Sequence, residues 1–128
     1  ERQECLRDLF RDHAWILAHT AARAIRLAEA YAFDLVCLDY DLDGEEKGDG
    51  VARAIAASAN AGVPVLIHSM NPAGVEPIRR FLPDAAWVPI ASLVRTNAVA
   101  KRVRGALRRG VPADWEALLR DPPRSASA

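Results

Sequence analysis

One stretch limits what this chain can fold into more than any other: Phe33 to Gly50, FDLVCLDYDLDGEEKGDG. Leu35, Val36, Cys37 and Leu38 form an unbroken apolar run, the pattern of a strand covered on both faces, as in a parallel sheet. The run stops at Asp39, Tyr40 and Asp41 and passes into an acidic, glycine-bearing loop. Ligands of open α/β sheets bind beyond the carboxyl ends of the strands. Asp39 is therefore the first candidate for chemistry, with turn capping as its alternative role.

The rest of the chain follows the same alternation. Cys5, Leu6, Leu9 and Phe10 make one stripe of a helix over residues 1–11. Ala14 to His19 reads as a short strand, and Thr20 caps a helix from Ala21 to Tyr31. Leu35 to Asp39 is the second strand, and a helix runs from Gly50 to about Asn60. Val65 to His68 is a third strand. Asn71-Pro72 then opens a helix with Val75, Ile78, Phe81 and Leu82 inward. Trp87 to Ile90 is a fourth strand, and Thr96 or Asn97 caps a long basic helix that ends at Gly110.

The order predicts a doubly wound parallel α/β sheet over residues 1–110. Such a fold opens on a strand, so we expect one more strand before Glu1, missing from the N-terminus of this sequence. Residues 111–128 read as a tail. In it Trp115, Leu118 and Leu119 form a candidate docking turn, and Pro122-Pro123 and the final SASA are expected to be loose.

With 51% apolar residues the 128-residue chain can bury a real core, and a formal net charge of +0 gives no general attraction to nucleic acid or anionic membrane. The Lys and Arg residues of the last helix therefore read as a solvated face rather than a strong nucleic-acid patch. No apolar run is long enough to span a bilayer, and ERQECLRD is not a signal peptide. Cys37 in its apolar run behaves as a small hydrophobe, so the expected setting is reducing and cytoplasmic.

A strand ending in Asp39, the next ending in Ser69, and the five-unit βα order together resemble a receiver domain, the flavodoxin-like fold of response regulators. The resemblance implies that Asp39 accepts a phosphoryl group from a histidine kinase. It also implies that Asp41 offers a backbone carbonyl to Mg²⁺ and that Ser69 contacts phosphoryl oxygens. The family's lysine after the fifth strand has no counterpart: that region reads AWVPIAS, and the only lysines are Lys47 and Lys101.

LDYDLDG, then GDG, then IHSMNPAG is more closely similar to the cyclic-phosphate processing receiver-like domains. His68, Ser69, Asn71, Pro72 and Gly74 match that family's second motif. Leu38, Asp39, Asp41, Leu42 and Gly44 match its first, with Tyr40 where the family has His. This resemblance implies metal-assisted processing or binding of a phosphate-bearing small molecule or RNA end. Asp39, His68 and Ser69 would be catalytic, Ser69 and Asn71 would contact ligand, and Asp39 and Asp41 would hold Mg²⁺ or Mn²⁺. Tyr40 and Asp49 are weaker candidates. The alternatives are a phosphorylated signalling receiver and a receiver that only binds protein partners.

Overall fold

A computed structural model describes residues 2–120. Its elements are α1 (Arg2–Leu9), α2 (Ala21–Ala30), β1 (Val36–Leu38), α3 (Gly48–Ala56), β2 (Val65–Ile67) and a 3-10 turn (Pro72–Gly74) that leads into α4 (Val75–Arg79). There follow β3 (Ala86–Trp87), α5 (Ile90–Leu93), α6 (Asn97–Arg109) and α7 (Trp115–Leu119). The three strands pair in parallel in the order β1-β2-β3, with Leu38 opposite Ile67 and Ile67 opposite Trp87.

Side chains alternate across β2 and divide the core into two layers. Val65 and Ile67 pack with Leu38 against Ala21 and Ala28 of α2, Val51 and Ile55 of α3, and Val75 and Ile78 of α4. Leu66 points the other way, into Leu9 of α1, Val99, Val103 and Leu107 of α6, and Trp115 of α7. Both faces are thus covered, which a continuous apolar run such as VLI requires. The Cys37 thiol belongs to the second layer, and burial pushes its pKa up to about 12.

The arginines of α6 are largely committed within the fold. Arg104 and Arg108 reach Asp8 and Asp12 at 2.8 Å each, bridging α6 to the α1 end of the chain. The Arg108 hydrogen bond holds the Asp12 carboxyl below its usual range. Arg102 and Arg95 donate to the carbonyls of Arg120 and Leu119, at the end of α7. The docking turn expected at Trp115 is this helix: Asp114 caps it and Trp115 is buried. Pro122-Pro123 and the final SASA lie outside the described residues. No helix among the described residues is long and apolar enough to cross a membrane.

Several elements differ from the sequence expectation. The strand expected over Trp87 to Ile90 covers only Ala86–Trp87, and a helix starts at Ile90, just past Pro89. Ala14 to His19 is not a strand; it is an open segment with Trp15 and Ile16 exposed. Its one ladder-like contact is at its end, where Thr20 bridges Asp43 in parallel and the Asp43 N–H donates to the His19 carbonyl at 3.0 Å. A strand needs a neighbour for its backbone groups, and among the described residues β1 pairs only with β2. A further difference is that α3 begins at Gly48, two residues before the expected start, and ends at Ala56 rather than near Asn60.

Asn60, only 3% exposed, ties these parts together. Its Oδ1 accepts from the Phe33 N–H at 2.9 Å, and its Nδ2 donates to the Ala28 and Tyr31 carbonyls at 2.8 Å each. Replacing it strands a donor and two acceptors in a buried turn. Asn60→Ala is expected to lower stability by about 2–4 kcal/mol in urea unfolding. Hydrogen exchange should show the amides of Trp15 to Ala18 unprotected and those of Leu66 and Ile67 among the slowest.

Candidate functional site

The site grows from the carboxyl ends of β1 and β2. The ladder Val36↔Val65, Cys37↔Leu66, Leu38↔Ile67 extends one step further through the His68 N–H, which donates to the Leu38 carbonyl at 3.0 Å. Asp39 and His68 therefore leave adjacent strands at the same level. Asp39 is half-buried. Its Oδ1 accepts from the Asp41 N–H at 3.2 Å, so the turn-capping role is real. It occupies one carboxylate oxygen.

His68 is 5% exposed, and its carbonyl accepts from the Ile90 N–H at 3.1 Å. Ser69 is fully buried, and its Oγ accepts from the Asn71 N–H at 3.1 Å. Asn71 in turn accepts from the Ala73 N–H at 3.1 Å and caps the 3-10 turn, with Pro72 at its first position. HSMNP is thus a chain of local caps that carries the backbone sharply away from the sheet edge. The Ser69 carbonyl accepts from the Trp87 indole N–H at 2.9 Å, which links the end of β2 to β3.

The acidic loop is organised around the Tyr40 carbonyl. The Tyr40 carbonyl accepts from the Leu42 N–H at 3.0 Å and the Gly48 N–H at 2.9 Å, and Lys47 Nζ donates to the Leu42 carbonyl at 2.8 Å. The loop is folded onto its own backbone, with Asp41, Asp43, Glu45 and Glu46 exposed. Tyr40 and Asp49 line a groove of about 370 Å³ together with Glu46, Lys47, Arg53 and Phe81. Asp39, His68 and Ser69 are not part of that groove. The ladder places Asp39 and His68 at the ends of adjacent strands, with Ser69 and Asn71 following His68, while Tyr40 and Asp49 line the groove.

Two glycines set this arrangement. A Cβ on Gly48 would run into the carbonyl oxygen of Asp39, and a Cβ on Gly74 into the Cβ and ring of Tyr40. Gly74 is thus the seat of the Tyr40 side chain, which also packs against the first core layer. This contact joins the two sequence motifs. Sequence reasoning missed Gly48 and Trp87. The first was one glycine among several in a loop, and the second read only as a strand residue.

Among the described residues, no group of three or more His, Cys, Asp or Glu side chains is placed to hold a metal ion. Mg²⁺ binds through one or two carboxylates and completes its octahedron with waters and phosphate oxygens. Asp39 offers one carboxylate at the edge, with Asp41 exposed beside it. These donors do not build a metal centre by themselves.

Comparison with known proteins adds a family and a fold. The model of the cyclic-phosphate processing receiver domain matches residues 4–84. A solved structure, titled as a yeast Spc42 trimeric coiled coil (amino acids 181–211) fused to another structure, is similar in fold. It has a TM-score of 0.55 and 20% identity, over 92% of this chain and 79% of that one. No curated protein matches the chain.

The Gly74 contact makes a sharp prediction. Gly74→Ala forces its new methyl against Tyr40 close to the backbone, where the side chain cannot swing clear. A loss of about 1–3 kcal/mol is expected, read as a lowered thermal midpoint, whereas Ala at the open Gly62 should cost far less.

Proposed function

The chain belongs to the family of cyclic-phosphate processing receiver domains, and on that premise we propose that its sheet edge binds and hydrolyses a cyclic phosphate ester, on a nucleotide or an RNA end. The observation that carries this reading is the level pairing of Asp39 and His68 across β1 and β2, extended by the His68 N–H to Leu38 carbonyl bond. It supports a carboxylate and an imidazole acting on one small ligand at the place where parallel sheets bind ligands.

In the proposed reaction a water oxygen bonds to phosphorus and one P–O ester bond of the ring breaks. The water loses a proton and the departing alkoxide gains one. Imidazole changes protonation near neutrality, so His68 is assigned one or both transfers. Asp39, whose Oδ1 accepts from the Asp41 N–H, is assigned the orienting of the water or the imidazole. The Ser69 oxygen is engaged by the Asn71 N–H, and its hydroxyl proton is the part it would turn to a phosphoryl oxygen. Asn71 shapes the turn that carries the ligand-facing backbone. Mg²⁺ or Mn²⁺ held by the Asp39 carboxylate would neutralise phosphate charge.

The test is turnover of a 2′,3′-cyclic nucleotide followed by ³¹P NMR, with and without Mg²⁺ or Mn²⁺. His68→Ala and Asp39→Asn should each lower the rate about 10²–10⁴-fold, with circular dichroism unchanged. Wild-type protein that neither binds nor turns over the nucleotide contradicts the proposal. A stable phosphoryl adduct on Asp39 from acetyl phosphate, without turnover, would favour the signalling receiver instead.

A further inference from the structure

Three tryptophans occupy three different settings. Trp115 is buried under α6, and Trp15 lies in the open segment with the Arg7 guanidinium 5.6 Å from its ring centroid. Trp87 is 37% exposed at the end of β3, and its only polar atom is already used: the indole N–H is bonded to the Ser69 carbonyl. Trp87 aligns with Ile67 in the ladder. Its ring therefore reaches two residues further along the neighbouring strand, toward the carboxyl edge that carries Asp39 and His68. Met70, 52% exposed, starts from that same carbonyl.

Single exposed apolar residues are ordinary. An indole fixed by its own N–H, with a half-exposed methionine on the adjoining residue, is a prepared apolar surface. An aromatic face held in one orientation stacks a planar ligand with little further loss of side-chain freedom, and methionine adapts its shape to what lies against it. Two strand spacings separate β1 from β3, about 10 Å, within the reach of one nucleoside from its phosphate.

We propose that Trp87, flanked by Met70, stacks the nucleobase of a nucleoside cyclic phosphate whose phosphate lies at Asp39 and His68. This rests on the reading of that edge as a cyclic-phosphate site. Trp87 then determines specificity: it selects cyclic phosphates that carry a base over those that do not. Mononucleotide and RNA end present the same base and phosphate, and differ only in what continues beyond the ribose.

The experiment compares three ligands on the full chain by calorimetry and by turnover: a 2′,3′-cyclic mononucleotide, a short RNA with a 2′,3′-cyclic end, and glycerol 1,2-cyclic phosphate, which has no base. Trp87→Ala is expected to weaken the base-bearing ligands about 10- to 100-fold, through KM rather than kcat, and to leave the glycerol ester unchanged. Trp87→Phe keeps a stacking face but loses the bond to Ser69, and should retain most of the affinity. It also guards against misfolding of the alanine variant. Met70→Ala should give a smaller loss of the same kind. A stronger response of the RNA than of the mononucleotide assigns the site to RNA ends, and the reverse assigns it to free nucleotides. Equal affinity of wild type for all three ligands, or equal losses for all three in Trp87→Ala, overturns the stacking role and leaves the phosphate site standing. Binding of none of them overturns both.

Discussion

The side-chain amide of Asn60 governs where β1 runs. It collects the last carbonyl region of α2, the turn at Tyr31 and the amide of Phe33 onto one buried side chain in the turn that follows α3. A buried amide with its groups engaged in this way is worth far more than a surface one, because its partners have no water to fall back on. From that point only two residues separate Phe33 from the paired strand. The level of Asp39 against His68 is therefore influenced from Asn60, a side chain with no chemical role of its own that lies between the two in sequence.

The second constraint is the sidedness of β2. Val65 and Ile67 face α2, α3 and α4, while Leu66 faces α1, α6 and α7. A shift of one residue would exchange the two layers, so register is strongly specified. The α7 turn reinforces the second layer: Trp115 fills it, and Arg95 and Arg102 hold the terminal carbonyls that a helix leaves open. The cationic face that looks free in sequence is partly consumed in this clamp and in the pairs with Asp8 and Asp12.

Much of this was legible in the residues. Helical stripes such as Val99, Val103 and Leu107, and the apolar runs LVCL and VLI, fix element type because burial repeats with the geometry of the element. That β1 and β2 end at one level, just before Asp39 and His68, followed from reading them as parallel neighbours. What failed depends on neighbours rather than on local pattern. AWILAH has the composition of a strand, yet pairing is a property of two segments, and the described contacts with Asp43 come only at its end, through the His19 carbonyl and Thr20. Gly48 and Trp87 escaped for a related reason. A glycine pressed against a carbonyl and an indole aimed at one are known only when distant backbone is in place.

The seating of Tyr40 on Gly74 bears on how this protein can change over time. Residues 40 and 74 lie on different motifs, but they share one volume. A bulkier or differently shaped ring at 40 is free to appear only while 74 has no side chain, and a methyl at 74 is admissible only once 40 has withdrawn. Whatever stands at 40 must therefore fit against position 74 before its chemistry can matter. The two positions should drift as a pair across descendants of this sequence, with Gly74 the slower to move.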